Sequence, residues 1–278
     1  MRWLILAILA ACGTSPNAGG TTDASSATDG SAGTDRDAAP DLSGLPPVNA
    51  KADYQLGGAY PPAAGVTVVA RDHLATANPD LYNICYINGF QIQPIDSSYW
   101  TSQQPDLILK NNGTPVIDTA WNEMLIDVST PAKRAAVAMI VDAYIDACKS
   151  AGFDAVEIDN LDSYSRSQGL LVADDNVAAM ALFSAHAHSD GLVIAQKNST
   201  ELVPRKAELG TDFAIAEECN RYGECQTYRD GYGDHVIVIE YRRQDFAAGC
   251  TAYPQLSIVL RDLNLVLPVD STYVYDAC

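Results

Sequence analysis

Carboxylates that stand at or just after short apolar runs are the residues best suited to chemistry. Glu157, Asp159 and Asp162 fall within six residues, and Glu217 and Glu240 each close an apolar run. Successive side chains of a strand point to opposite faces, so Glu157 and Asp159 share one face. Carboxylates gathered in one cleft perturb each other's ionisation, so that one is held protonated while another stays ionised. Cleavage of a glycosidic bond uses this division of roles.

For any one of these residues taken alone, a solvated loop residue or a helix cap is the ordinary interpretation. The cluster at 157–162 also allows a divalent metal site, because hard cations bind several carboxylate oxygens. No calcium-loop spacing accompanies it, and His186 and His188 stand two apart on a predicted helix, facing different directions. We therefore expect no metal and no cofactor, and a metal-dependent hydrolase is the weakest hypothesis.

Eight short apolar runs have the character of strands that could position these carboxylates. Several are continuously apolar, which is typical of parallel strands buried on both faces. The runs cover residues 54–57, 66–71, 81–88, 155–160, 192–198, 213–218, 236–241 and 256–262.

Helical segments alternate with the strands. Residues 132–150 follow a Ser-Thr-Pro start signal and end before Gly152, and a second helix runs from Asp174 through His188 to Gly191. Strands alternating with helices over residues 51–278 predict an α/β fold, a single-domain (β/α)8 TIM barrel. An open doubly wound sheet is the main rival, but no Gly-rich phosphate loop follows the first strand.

Aromatic residues could add a sugar-binding surface to such a barrel. Active sites of these barrels lie at the C-terminal ends of the strands, where flat aromatic faces could stack on pyranose rings. Packing in the core or in loops is an equally good role for each of them. The aromatic residues at or just after the predicted strand ends are Tyr54, Tyr86, Trp100, Trp121, Tyr164, Tyr222 and Tyr241.

Composition excludes several functional classes. The 278 residues contain 17 Lys and Arg against 35 Asp and Glu, a net charge of −18, with 47% hydrophobic residues. The chain is thus able to form a core, but it lacks the basic surface that nucleic-acid binding requires. Apart from residues 3–11, no apolar run is long enough to span a bilayer, which excludes a multi-pass membrane protein.

The first fifty residues indicate export rather than structure. Arg2 and the apolar residues 3–9 precede Leu9-Ala-Ala-Cys12, a lipobox pattern, so we expect a signal peptide over 1–11 and lipidation of Cys12. An ordinary secretory signal with an incidental cysteine is the alternative. Residues 12–50, rich in Gly, Ser, Thr, Ala and Asp, bury too little apolar surface to fold and predict a disordered tether. The expected location is the bacterial cell envelope, through a lipid anchor in the membrane.

Six cysteines remain beyond Cys12. An even number in an exported chain favours disulfides, and no CxxC spacing indicates zinc. Six cysteines allow fifteen pairings. We predict one bridge across a short loop, one at the C-terminus and one between the remaining two, namely Cys219–Cys225, Cys250–Cys278 and Cys85–Cys148.

Several sequence blocks, taken together and in order, resemble glycoside hydrolase family 114. They span residues 54–262, nearly the whole predicted domain. The resemblance implies a TIM-barrel endo-α-1,4-polygalactosaminidase, which cuts inside chains of α-1,4-linked galactosamine. The blocks are Tyr54-Gln-Leu-Gly-Gly58, Ile84-Cys-Tyr-Ile-Asn88, Ala155-Val-Glu-Ile-Asp-Asn-Leu-Asp162, Ala185-His186 with Gly191-Leu192, Gln196-Lys-Asn198, Phe213-Ala-Ile-Ala-Glu-Glu-Cys219 and Ile239-Glu-Tyr241.

The resemblance also implies roles for individual residues. Asp159, at the end of the fourth strand, is similar to the nucleophile, and Glu217, at the end of the sixth, to the acid/base of a retaining mechanism. We prefer Glu217 to Glu218 because the family motif keeps an acid two residues before the cysteine. The residues implied to bind substrate are Asp72, Asp127, Glu157, Asp162, Tyr164, Lys197, Asn198, Glu240 and Tyr241.

The charge of the predicted domain suits this substrate. The first fifty residues hold two arginines and five aspartates, so −15 of the net −18 belongs to residues 51–278. Deacetylated galactosamine carries an ammonium group, and an acidic domain attracts such a polycation. We expect a monomeric hydrolase of a cationic polysaccharide. A carbohydrate-binding surface lipoprotein that has lost catalysis is the alternative from another functional class.

Overall fold

A computed structural model describes residues 44–278, which form a barrel-like sheet surrounded by helices. Eight parallel strands follow one another in chain order, and a ninth, β9 (Tyr275–Ala277), pairs antiparallel with the eighth. The predicted signal peptide, Cys12 and the linker up to residue 43 lie outside the described residues. The eight strands are β1 (Ala52–Gln55), β2 (Val68–Asp72), β3 (Tyr82–Asn88), β4 (Ala155–Asp159), β5 (Val193–Lys197), β6 (Phe213–Glu217), β7 (Val236–Glu240) and β8 (Ser257–Arg261).

Both faces of the strands are buried, as the continuous apolar runs predict. One set of alternate residues, which includes Ile84, Ile215 and Val259, packs inside the barrel. The opposite set, which includes Val156 and Ile258, packs against the helices. The prediction of a (β/α)8 TIM-like barrel is confirmed, and the ends of all eight strands lie within two residues of the expected positions.

The barrel closes between β8 and β1 through side chains. Arg261 of β8 is fully buried, donates to the carbonyl oxygen of Tyr54 and lies 3.3 Å from Asp53 Oδ1. The backbone amide of Ala50 donates to Ser257 Oγ at 2.9 Å. A buried guanidinium therefore bridges the two strands where the parallel ladder ends.

The helices are unevenly distributed around the barrel. The connections from β1 to β2 and from β2 to β3 hold no helix within residues 44–278. Pro61, Pro62 and several glycines occupy the first connection, and these residues disfavour helix. The helices are α1 (Ser97–Gln103), α2 (Pro131–Ser150), α3 (Ala173–Ser189), α4 (Lys206–Leu209), α5 (Cys219–Tyr222), α6 (Cys225–Tyr232) and α7 (Arg243–Ala252), with 3-10 turns at Pro105–Leu107, Ser163–Arg166 and Thr200–Arg205.

The two helices predicted from their end signals are present. Thr130 Oγ1 accepts from the backbone amide of Lys133 at the start of α2, and Pro131 is its first residue. Gly152 follows α2 with a φ of +86°, a conformation that glycine adopts without strain. Among the helices of residues 44–278, none combines the length and apolarity that a membrane span requires.

A long excursion separates β3 from α2. It contains α1, a three-stranded antiparallel sheet formed by Gln91–Ile92, Ile117–Asp118 and Glu123–Leu125, and a hairpin of Lys110–Asn111 with Thr114–Pro115. The small sheet joins the barrel at the end of β3, through a backbone hydrogen bond from Ile126 to Phe90. The loop of this sheet, residues 119–122, places Ala120 and Trp121 near the C-terminal ends of β4 and β6, around the same cavity as Asp159 and Glu217.

Three disulfides join the six cysteines as predicted, linking Cys219 to Cys225, Cys250 to Cys278 and Cys85 to Cys148.

Residues 44–50, assigned to the tether from sequence, are packed on the barrel. Ala50 is buried, Leu45 contacts the inner core and Tyr82 Oη donates to the carbonyl oxygen of Gly44 at 2.6 Å.

Candidate active site

Two carboxylates and a lysine meet at the C-terminal ends of three adjacent strands. Asp159, Lys197 and Glu217 close β4, β5 and β6, in phase with the residues that face the barrel interior. Lys197 Nζ lies 3.5 Å from Asp159 Oδ1 and 3.5 Å from Glu217 Oε2. These two oxygens are therefore at most twice 3.5 Å apart.

Beneath this pair, the barrel interior holds a buried charge cluster. Lys197 is 2% exposed, and its Nζ contacts Glu157 Oε1 at 2.9 Å and Tyr54 Oη at 3.0 Å. Burial opposes the lysine charge, but Asp159, Glu157 and Glu217 outweigh it and hold the pKa of Lys197 well above its usual value. Burial raises the pKa of Glu157, against the attraction of Lys197. One ammonium thus neutralises part of the charge of three carboxylates.

Tyrosines and amides fix the orientation of each carboxylate. Tyr86 Oη donates to Asp159 Oδ2 at 2.7 Å, and Tyr241 Oη donates to Glu217 Oε1. Asn198 binds Glu217 twice, since its Nδ2 donates to Oε2 at 2.9 Å and its Oδ1 accepts from the Glu217 backbone amide at 2.8 Å. Burial and the Glu217 carboxylate raise the pKa of Tyr241, which therefore remains a donor at neutral pH.

These groups open into a cavity of about 500 Å³ at the C-terminal end of the barrel. Of the residues implied by the resemblance, six line the cavity: Asp159, Asp162, Lys197, Asn198, Glu217 and Tyr241. Glu157 lies one layer below them and touches Lys197 instead. Of the aromatic candidates, Tyr54, Tyr86 and Trp121 also line it, whereas Trp100 is buried in the core.

Four other predicted substrate-binding residues do not line the cavity, and their part in binding stays a prediction. Asp72 is the last residue of β2, and its side chain accepts from the backbone amide of Leu74 in the turn that follows. Tyr164 Oη donates to Glu201, outside the cavity wall. The other two, Asp127 and Glu240, have structural roles that explain their carboxylates.

Asp127 binds Lys133 and Ser129 at the start of α2, and these hydrogen bonds lower its pKa although burial opposes the charge. Glu240 points out of the barrel, because strand alternation places it with Val236 and Val238. It accepts from the backbone amide of Asn220 at 2.9 Å, and burial raises its pKa to about 7.

Three charged residues of the wall were missed from sequence. Asp118 and Glu123 belong to the small sheet after β3, and Arg166 to the 3-10 turn after β4. Arg166 Nε lies 3.0 Å from Asp118 Oδ2, and its Nη1 lies 2.8 Å from Asp162 Oδ2. None of the three directly follows a strand of the barrel, so a search for polar residues at the ends of apolar runs does not find them.

The acidic cluster of the site is engaged by protein cations. Glu157 and Asp159 face Lys197, and Asp162 faces Arg166. In the described part of the chain, the one His and carboxylate group with metal-like spacing is Asp146, His186 and Asp190, on the outer helices. The geometry of the cavity therefore suits acid/base and nucleophilic chemistry by carboxylates.

Comparison with known proteins gives one family and a set of related folds. The sequence model described as glycoside-hydrolase family GH114 matches residues 33–278. No curated protein matches the chain. The structure of Aspergillus fumigatus Ega3 in complex with galactosamine is 20% identical, covers 84% of this chain and 97% of its own, and has a TM-score of 0.66. The glycoside hydrolase domain of Pseudomonas aeruginosa PelA is 13% identical, covers 81% and 97%, and has a TM-score of 0.53.

Proposed function

The chain belongs to glycoside hydrolase family GH114, and from this premise we propose that it cleaves α-1,4-galactosaminidic bonds in galactosamine-containing polysaccharide. The observation that carries the proposal is the pair Asp159 and Glu217, held on either side of Lys197 in one acidic cavity. The similar fold of Ega3, whose structure is a complex with galactosamine, supports an amino sugar as substrate.

In the proposed reaction Asp159 is the nucleophile and Glu217 the acid/base. Asp159 attacks the anomeric carbon while Glu217 gives its proton to the leaving oxygen, which forms a glycosyl ester and releases the cut chain end. Glu217 then takes a proton from water, and the resulting hydroxide displaces Asp159. We propose retention because the family resemblance implies it. The two carboxylate oxygens are at most twice 3.5 Å apart, a bound that includes the separation of about 5–5.5 Å typical of retaining enzymes.

Lys197 helps both steps of this scheme. While Asp159 is ionised, the ammonium stabilises the nucleophile in its reactive form. After the ester forms, the same ammonium still lies 3.5 Å from Glu217 Oε2 and helps to hold this carboxyl group in place while it takes the proton from water. Tyr86 and Tyr241 hold the two carboxylates in orientation throughout.

The charge of the site favours a cationic sugar. The cavity wall contains five carboxylates and two cations, and both cations are engaged by carboxylates, Lys197 by Asp159 and Glu217 and Arg166 by Asp118 and Asp162. An ammonium group on the substrate relieves the surplus negative charge.

Location is the second part of the proposal. Three disulfides indicate an oxidising compartment, which supports export. We propose that residues 1–11 are removed, that Cys12 carries the lipid and that the segment up to residue 43 tethers a monomeric enzyme to the cell envelope. Mass spectrometry of the mature protein tests the anchor, and an unmodified Cys12 contradicts it.

The decisive test incubates the purified enzyme with partly deacetylated α-1,4-galactosaminogalactan, beside a neutral polysaccharide, and analyses the products by mass spectrometry. We expect short galactosamine oligomers, and a loss of about 10²-fold or more in Asp159→Asn and in Glu217→Gln while circular dichroism stays unchanged. Glu208→Gln is the matched control, because Glu208 is exposed and pairs with Arg205 away from the cavity. Wild-type rates in both active-site variants contradict the roles, and binding without cleavage favours the carbohydrate-binding alternative.

A further inference from the structure

Glu123 occupies a special place in the cavity wall. It begins the third strand of the small sheet between β3 and α2, directly after the loop that carries Trp121. Trp121 is 58% exposed, and both side chains line the cavity that also contains Asp159. The carboxylate therefore belongs to the wall that stands over the strand ends.

The charge balance of the cavity leaves Glu123 without a cation. Asp159 and Glu217 lie within 3.5 Å of Lys197 Nζ, and Arg166 holds Asp118 and Asp162. Among the described residues, Glu123 is the lining carboxylate with no Lys, Arg or His within ion-pair distance. A partly buried carboxylate in such a position gains most from a cation that arrives with the ligand.

Amide groups fix Glu123 in place on one side. Its Oε2 accepts from Asn88 Nδ2 at 3.0 Å and from Gln91 Nε2 at 3.4 Å. Asn88 Oδ1 in turn accepts from Asn160 Nδ2 at 3.0 Å, and the Asn160 backbone amide donates to Asp159 Oδ1 at 2.8 Å. A chain of three hydrogen-bonded contacts thus ties Glu123 to the proposed nucleophile.

We propose that Glu123 binds the ammonium group of an amino sugar held in this cavity, and thereby makes the enzyme prefer deacetylated over N-acetylated or neutral sugar units. The inference rests on the proposed function and adds the residue that recognises the amino group of the sugar. An N-acetyl group carries no charge, so its binding removes water from Glu123 without supplying a cation.

This role gives binding a pH dependence with a definite sign. Burial, with Asp159 and Asp118 nearby, raises the pKa of Glu123 to about 7, against the hydrogen bond from Asn88 and the charge of Arg166. Binding of an ammonium favours the ionised form, so a proton leaves as the sugar binds. As pH falls from about 7 to 5, protons compete with the amine and weaken binding about tenfold in all.

The test compares wild type with Glu123→Gln on a deacetylated galactosamine oligomer and on its N-acetylated counterpart. The glutamine keeps an oxygen for Asn88 but has no charge. At pH 7 to 7.5 we expect KM for the deacetylated oligomer to rise about tenfold or more, with kcat little changed. The KM ratio of variant to wild type should fall to about one at pH 5, where wild-type Glu123 is itself protonated.

Several outcomes overturn this inference. A role of Glu123 in recognising the amino group is contradicted by any of three results. The KM of Glu123→Gln is unchanged, it rises equally for both oligomers, or its ratio to the wild-type KM does not depend on pH. Glu208→Gln serves as the control and should behave as wild type. If wild type cleaves the polymer and any of these results is found, the inference about Glu123 is refuted and the proposed function is not.

Absence of cleavage by wild type refutes the proposed function instead. In that case calorimetry with the galactosamine oligomer at pH 6, in two buffers of different ionisation enthalpy, decides the inference. Proton release on binding by wild type but not by Glu123→Gln supports it, and equal proton release or no binding overturns it.

Discussion

The buried charge cluster allows a quantitative test through Lys197→Met. Lys197 Nζ lies 2.9 Å from Glu157 Oε1 and 3.5 Å from one oxygen each of Asp159 and Glu217. At an effective dielectric constant of about 20, each contact corresponds to about 5 kcal/mol of attraction, which burial of the ammonium offsets in part. Removing one partner of a buried ion pair costs about 3–5 kcal/mol, and we expect this loss of unfolding free energy near pH 8.

The loss should shrink as pH falls. Burial already raises the pKa of Glu157, and without Lys197 that pKa rises further. Between the unfolded value, about 4.3, and the raised folded value, the native variant binds more protons than the unfolded chain, so acidification stabilises it relative to wild type. The pKa of Lys197 is above its usual value, so the lysine stays protonated in wild type throughout pH 5–8. The change with pH therefore comes from Glu157 and not from titration of the lysine.

A second substitution separates charge from packing. The cluster of Lys197, Glu157, Asp159 and Glu217 carries −2 when ionised, Lys197→Met makes it −3, and adding Glu157→Gln returns it to −2. Gln at 157 still accepts the hydrogen bond of Tyr54. The double variant should therefore recover at least half of the lost stability at pH 8, while hydrolysis stays low because the ammonium beside the two proposed catalytic groups is gone.

Urea unfolding of wild type, both single variants and the double variant at pH 8 and 5.5 measures these quantities. A Lys197→Met variant as stable as wild type at pH 8 refutes the electrostatic account. So does a double variant no more stable than Lys197→Met, because removal of the extra negative charge would then have no effect.

Two further predictions concern stability away from the cavity. Glu240 is fully buried, and its pKa is raised to about 7. Glu240→Gln should therefore raise the unfolding free energy at pH 8 by up to about 3 kcal/mol. Wild type gains stability from protonation of Glu240 as pH falls toward 5, and the variant should lack this gain. Urea titrations at both pH values check this, and a less stable variant at pH 8 contradicts it. Replacing Cys85 and Cys148, 63 residues apart, by Ala should cost about 4 kcal/mol, against about 2 kcal/mol for Cys219 and Cys225, six apart. Melting temperatures that rank the other way contradict the loop-entropy argument.

Much of the fold was accessible from local patterns. Strands buried on both faces read as continuous apolar runs, and the end signals of α2 and α3 lie within a few residues of each helix. The two connections without helices were missed because the prediction extended the alternation to the whole barrel. Pro61 and Pro62 were a local signal against a helix there.

Strand alternation explains which carboxylates of the predicted site face the cavity. On β4 it placed Glu157 and Asp159 on one face, and both point into the barrel. The same rule applied to β7 separates Glu240 from Ile239 and Tyr241, so Glu240 must point outward when Tyr241 points inward. The information needed to exclude Glu240 from the cleft was therefore present in the spacing.

The remaining part of the cavity wall has a different origin. Asp118, Glu123 and Arg166 enter it from a small sheet and a 3-10 turn, whose positions depend on how the excursion after β3 packs on the strand ends. Residue periodicity does not predict this packing, because the contacts join segments that are far apart in sequence. The ion pair of Arg166 with Asp118 is an example. Net charge predicts an acidic surface. Only the three-dimensional structure shows that Lys197 and Arg166 already form ion pairs with other carboxylates of the wall, and that Glu123 forms an ion pair with neither. A preference for a cationic ligand therefore depends on which carboxylates lack a protein cation, and that property appears first at the level of tertiary structure.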